Sequence, residues 1–208
     1  MKEQELERLK NMLKIEDSLY EKGYNFICGV DEAGRGPLCG PVVAAAVILS
    51  KDECIEGVND SKKLSEKKRE VLYDEIISKA IAYGIGISDV DVIEEVNILN
   101  ATKIAMKNAI KNLNVAPDYV LIDGNQMIDI DIPGNTVVSG DAKSESIAAA
   151  SILAKVTRDR MLREYDKKYP EYGFAKHKGY GTKAHIEAIG KYGLTPIHRP
   201  SFCKKFVK

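Results

Sequence analysis

The chain has 208 residues, with 31 basic and 31 acidic side chains and 44% apolar residues. That length suits one domain, or one with a small appendage, and is enough to bury a core, while the ordinary apolar and charged content excludes disorder and a coiled coil. The longest apolar run, Val42 to Leu49, is too short to span a bilayer, and residues 1–16 are rich in Glu and Lys where a secretory signal would be apolar, so a cytoplasmic protein with no membrane partner is expected.

Residues 3–22 read as an amphipathic helix, with Leu6, Leu9, Leu13 and Tyr20 on one stripe packed against the flank of the fold. Strands are predicted at 26–30 and 41–49, joined by a glycine-rich turn. Asp60, Ser61 or Ser65 caps a helix that runs to about residue 79. Residues 80–87 alternate as a third strand, in which Gly84 and Gly86 permit close backbone approach. A helix over 97–112 turns Ile98, Ala101, Ala105, Ala109 and Ile110 inward. The fourth and fifth strands, 119–122 and 136–138, enclose a predicted hairpin in which Asp129 and Asp131 are solvated. A long helix over 144–169 carries Ala148, Ala149 and Ala150, small enough to approach the sheet, then Lys155, Arg158, Arg160 and Arg163 around its later turns. A last helix over 183–192 leads into a Pro-bounded tail. Three strands followed by helix–strand alternation predict an α/β fold, a mixed central sheet flanked by helices.

Four acidic residues stand where strand-like runs end. Phe26 to Val30 runs into Asp31 and Glu32, Tyr119 to Ile122 runs into Asp123, and Thr136 to Val138 precedes Asp141. Strands of one sheet would gather these carboxylates, and two like charges ~4 Å apart repel by roughly 4 kcal/mol at an effective dielectric of about 20. Such a cluster implies raised pKa values or bound cations, and hard oxygen donors suit Mg²⁺ or Mn²⁺. Adjacent Asp31 and Glu32 would point to opposite faces of a regular strand, so a bend at Gly34 and Gly36 is expected to bring both to one site. Each acid also has a plainer reading: a polar turn for Asp31 and Glu32, an Asp-Gly turn at Asp123, a helix start at Asp141.

The stretch Gly29-Val30-Asp31-Glu32-Ala33-Gly34-Arg35-Gly36-Pro37 resembles the first motif of type 2 ribonuclease H, the bacterial ribonuclease HII family. Asn59-Asp60-Ser61-Lys62-Lys63-Leu64-Ser65, Val120-Leu121-Ile122-Asp123-Gly124, Gly140-Asp141 and Ala148 to Lys155 follow in the family's order. His177-Lys178-Gly179-Tyr180-Gly181-Thr182 and Pro196-Ile197-His198-Arg199-Pro200-Ser201-Phe202 complete the set. The ordered motifs span nearly everything from residue 26 to residue 202, and Gly-Arg-Gly after the acids argues against the sister ribonuclease HIII. The resemblance implies a ribonuclease H-like fold with a C-terminal helical extension. Its expected divisions are a helix over 1–22, a catalytic core over 23–157 and a basic helical region over 158–208, in one domain.

The resemblance further implies an endonuclease that cuts the RNA strand of RNA–DNA hybrids and cleaves 5′ of single ribonucleotides in duplex DNA. Asp31, Glu32, Asp123 and Asp141 would hold divalent metals, which activate water and stabilise the leaving oxygen. Gly34, Arg35 and Gly36 would sense the ribose 2′-hydroxyl through their backbone, since that hydroxyl separates RNA from DNA. Tyr180, between two glycines, would pack on the next deoxyribose, and Lys62, Lys143, Lys178 and Arg199 would contact phosphates. His177 and His198 read as loop-ordering groups. A monomer is expected, and no obvious replication-clamp motif is present.

Zero net charge conceals an asymmetry that fits this reading. From Lys155 onward the chain has 14 basic and 5 acidic residues, and all three histidines lie there. An acidic part to bind cations and a basic part to grip phosphate suit a nuclease. Cys28, Cys39, Cys54 and Cys203 form no Cys-x-x-Cys pair and read as reduced thiols. A sugar-kinase-like phosphotransferase would need nucleotide loops that are absent, and a non-catalytic hybrid binder would not need four acids.

Overall fold

The computed structural model describes residues 3–52 and 54–207. Helix α1 (Glu3–Tyr20) precedes strands β1 (Ile27–Ala33) and β2 (Val42–Ile48), then α2 (Glu66–Lys79) and β3 (Ala82–Ser88). Helix α3 (Val90–Lys111), strands β4 (Tyr119–Asp123) and β5 (Gly134–Val137), and the long α4 (Glu145–Lys168) follow. Short helices α5 (Phe174–His177), α6 (Lys183–Tyr192) and α7 (Pro200–Cys203) complete the chain. The sheet order is β3-β2-β1-β4-β5: β1, β2 and β3 are antiparallel, while β4 is parallel to both β1 and β5.

The unbroken apolar run of β2 is buried on both faces. Ala44, Ala46 and Ile48 pack with Ala101, Ala105 and Ala109 of α3 on one side. Ala45 and Val47 pack with Ala148, Ala149 and Ile152 of α4 on the other. Small residues make these contacts close: a Cβ on Gly84 or Gly86 would strike the α3 backbone, and one on Gly29 would strike the backbone at Ser146. The central strand β1 and helix α4 therefore touch backbone to backbone, which fixes the helix against the strand carrying Asp31.

Three expectations are corrected. The segment between β4 and β5 is not a hairpin, because the two strands are parallel; Asp129 is nevertheless solvated and pairs with Lys107. Helix α3 begins at Val90, earlier than expected, and breaks at Asn97, whose φ is 68°. The Asn97 side chain accepts from the Leu99 and Asn100 amides and restarts the helix as a cap. Strand β1 does not end before its acids, since Asp31 and Glu32 still pair with Ala45 and Ala44 of β2. Its pairing with β4 stops at Val30 and Ile122, so the side facing β4 is open at the acids.

Both helix caps proposed around residue 60 form: Asp60 accepts from the Lys62 amide in a short turn, and Ser65 caps α2 through Lys68. Among the described residues no helix is long and apolar enough to cross a membrane. The four cysteines are free thiols.

Candidate active site

The open end of the sheet gathers the acids. Asp31 and Glu32 come from β1, Asp123 is the last residue of β4, and Asp141 lies in the turn between β5 and α4. The Gly140 amide donates to Asp123 Oδ1 at 2.6 Å, tying these two loops together. Asp31 is buried, and burial, then the charges of Glu32 and Asp123, push its carboxyl well above the usual range. Burial raises Glu32 as well, against the Arg35 guanidinium 3.4 Å away. Burial, then Asp60 and Asp123, raise Asp141.

Asp60 therefore belongs to the acidic cluster, a role its reading as a helix cap did not reveal. Lys62 Nζ approaches Asp141 Oδ2 at 4.0 Å, and although burial opposes its charge, Asp141, Asp60, Asp31 and Asp123 raise its pKa. Ser151, on the first half of α4, supports Asp31 from below and bonds Ser61 Oγ at 2.9 Å. The donors are oxygens, their charges repel, and the cations beside them are Lys62 and Arg35. This donor chemistry fits a hard divalent cation.

Asp31, Glu32, the 34–36 turn, Lys62, Lys155 and Tyr180 line one cleft of about 190 Å³. A Cβ on Gly36 would lie 3.8 Å from Tyr180 Cε1, so turn and tyrosine are neighbours. Tyr180 is 49% exposed, an aromatic ring presented rather than packed. Acids at open strand ends, a glycine turn beside them and an exposed tyrosine across the cleft thus form one continuous site.

A family model described as Ribonuclease HII matches residues 28–205. The chain belongs to the ribonuclease HII family. It is 63% identical over 205 residues to ribonuclease HII of Acetivibrio thermocellus, covering 99% of this chain and 80% of that protein. It is 60% identical over 203 residues to ribonuclease HII of Clostridioides difficile, covering 98% and 80%. The crystal structure of ribonuclease H2 from Pyrococcus horikoshii matches with a TM-score of 0.72 at 30% identity, over 86% of this chain and 96% of that one. The ribonuclease H-like fold expected from the motifs is the fold observed.

Within this ribonuclease HII chain, several expected phosphate contacts are not surface groups. Arg199 is fully buried, which corrects its reading as a phosphate ligand. Its guanidinium donates to the carbonyls of Gly34, Arg35, Pro37 and Gly40 at 2.6–3.0 Å. Burial, then the neighbouring Arg158 charge, pushes its pKa down to about 10. The Lys178 side chain is 12% exposed, and its ammonium reaches the half-exposed Glu66 at 3.4 Å. Lys143 is exposed, with its ammonium donating to the Val138 carbonyl at 2.7 Å. Lys62, 81% exposed along its side chain, stays beside the acids, 4.0 Å from Asp141.

The histidines order loops, as expected. The Thr195 amide donates to His198 Nδ1, so His198 Nε2–H faces His185 Nε2 at 3.0 Å, and His185 Nδ1–H faces the Tyr180 carbonyl. The Gly179 amide donates to His177 Nδ1, leaving Nε2–H for the Tyr172 carbonyl. Burial lowers His185 and pushes His198 down to about 4, which favours the neutral form of these two rings. Arg158 is a further residue, for which sequence reading offered no role beyond a place on the later turns of its helix. It is buried and donates to the carbonyls of Pro41, Lys178 and Cys39. Its spacing of seven and four residues from Ser151 and Ala154 on the inward face of α4 was the available signal.

Proposed function

We propose that this protein is a divalent-metal endonuclease that hydrolyses the RNA strand of RNA–DNA hybrids and cuts 5′ of single ribonucleotides in duplex DNA. Cleavage leaves a 5′-phosphate on the ribonucleotide side and a 3′-hydroxyl upstream. The observation that carries the reading is the shared cleft, in which Asp31, Glu32, the 34–36 turn and Tyr180 meet.

Asp31, Glu32, Asp123 and Asp141 would hold Mg²⁺ or Mn²⁺. When bound, such cations supply water activation and charge stabilisation at the leaving oxygen. The chain's own residues supply binding and orientation. The backbone of Gly34, Arg35 and Gly36 approaches the 2′-hydroxyl, which a side chain at either glycine would hinder. Tyr180 packs on the sugar that follows, and Lys62 meets the phosphate nearest the acids. The protein acts in the cytoplasm, as a monomer, in removing misincorporated ribonucleotides and hybrid remnants.

The test is incubation with a labelled duplex containing one ribonucleotide, with Mg²⁺ or Mn²⁺. Cutting immediately 5′ of that ribonucleotide, and none of the all-DNA duplex, is expected. Binding without cutting would instead indicate a hybrid-binding protein.

A further inference from the structure

Two guanidinium groups lie behind the recognition cleft with no carboxylate within ion-pair distance among the described residues. Arg158 and Arg199 are 1% and 0% exposed. Burying a charge without a counter-ion is costly, and the cost is offset here by hydrogen bonds to carbonyls and, for Arg199, by the Phe202 ring 5.2 Å away. Those carbonyls belong to a few residues around the cleft. Arg199 takes Gly34 and Arg35 from the turn, then Pro37 and Gly40 after it. Arg158 takes Cys39 and Pro41 from the same stretch, and Lys178 from the loop that carries Tyr180.

The same two loops are stitched by backbone bonds. The Leu38 amide donates to the Gly179 carbonyl, and the Arg199 amide donates to the Leu38 carbonyl. With the carbonyls of Gly34 and Arg35 drawn inward to Arg199, the amides of Gly34, Arg35 and Gly36 have no hydrogen-bond acceptor among the described residues. Those amides are the groups left to meet an oxygen in the cleft. Gly34 itself permits the arrangement: its φ is 102°, and a Cβ would collide with the Arg158 side chain.

We propose that Arg158 and Arg199 are positioning residues for ribonucleotide recognition. Arg199 turns the carbonyls of the 34–36 turn inward so that its amides face the 2′-hydroxyl. Arg158 locks that stretch to the Tyr180 loop and so sets the distance between the hydroxyl reader and the sugar reader. The inference rests on the proposed function of the cleft. Arginine is required because its five donors form a rigid fork that can bridge several carbonyls, whereas lysine keeps the charge but offers three donors from one point.

Arg199→Lys and Arg158→Lys test this in the full-length protein. Loss of such charge-assisted bonds is expected to lower the binding preference of Arg199→Lys for a single-ribonucleotide duplex over an all-DNA duplex by roughly tenfold. Its all-DNA affinity stays near wild type. Arg158→Lys lowers kcat/KM for the single-ribonucleotide duplex about tenfold more than for a continuous hybrid, and adds little in a Tyr180→Ala background. Both variants keep the rise in melting temperature on adding Mn²⁺, because no acid is altered.

Equal losses on all substrates, or full additivity of Arg158→Lys with Tyr180→Ala, would overturn the positioning role. If Arg199→Lys does not fold, Arg158→Lys and its double-mutant cycle decide the matter. A wild-type protein that leaves the single-ribonucleotide duplex uncut would overturn the function itself, a result distinct from any of these.

Discussion

The carboxylates at the strand ends and the cationic groups of the C-terminal region meet at one cleft, yet their hydrogen-bonding capacity is spent differently. The acids are crowded; Asp31, Glu32 and Asp141 are raised by burial and by neighbouring carboxylates, with Arg35 and Lys62 as the cations beside them. On the opposite side Arg158 and Arg199 are consumed by backbone carbonyls. Arg160 and Arg163 pair with Glu70 and Glu66, and Lys155 with Asp159. One side is left crowded with like charge; the other is completed internally by backbone carbonyls. A count of basic residues along the chain therefore overstates the charge offered to phosphate, whereas the count of acids understates the site, because Asp60 joins it.

The sharpest way to break this comparison is to remove an acid. Asp31→Asn or Asp123→Asn should abolish hydrolysis of a ribonucleotide-containing duplex and leave gel-shift affinity largely intact, since phosphate contacts supply much of the binding. Cutting by either variant at near wild-type rate in Mg²⁺ would show that the acids are not the catalytic group.

On the other side, Tyr180→Ala should lower cleavage of a single embedded ribonucleotide by roughly tenfold or more, from a stacking-type contact worth ~1–3 kcal/mol. A continuous hybrid should lose less, because no deoxyribose follows most of its cut sites. Equal losses on both would leave Tyr180 as a general binding residue.

Stability sharpens the contrast at smaller scale. Relief of repulsion should raise the metal-free melting temperature of Asp141→Asn by a few degrees and shrink the rise caused by Mn²⁺, which stabilises only the state that binds it. Differential scanning fluorimetry with and without the ion would read both; identical metal responses in variant and wild type would argue against a shared site.

A further effect lies outside the cleft. Burial raises Glu145 from 4.5 to about 7 in the folded chain, against a hydrogen bond from the Ile55 amide. The folded state then holds a proton that the unfolded state has lost. Stability from this group is complete below pH 4.5 and is lost as pH rises through about 7, by as much as about 3 kcal/mol. Glu145→Gln should therefore gain melting temperature relative to wild type at pH 8 and much less at pH 5. The same difference at both values would remove Glu145 as the cause.

Much of this was legible in the sequence because it depends on local pattern. Val-, Ile- and Tyr-rich runs ending in acids gave β1 and β4, and Gly84 and Gly86 announced the close approach of α3. The parallel pairing of β5 was not legible, since an irregular connection carries no helix to signal a crossover. Sequence periodicity began helix α3 at Asn97, where the structure has its break, and missed the helical residues from Val90 that precede it. The burial of Arg199 and Arg158 was hidden for a deeper reason: composition treats arginine as a surface residue, and only the folded chain brings enough carbonyls together to solvate it. Glu16, accepting bonds from Ser144 and Ser146, was obscured in the same way on the stripe of α1.

That last contact sets an order of events during synthesis. Helix α1 is made first, but Glu16 finds its hydroxyl partner Ser144 only 128 residues later. At about 5–20 residues per second, the wait is on the order of ten seconds. Throughout it Leu9, Met12 and Leu19 lack α4 and β4 to cover them, and Asp31 and Glu32 stand without Asp141. The nascent chain thus emerges with two of the four clustered acids, and the cluster is complete only when the C-terminal half has closed over the first strand.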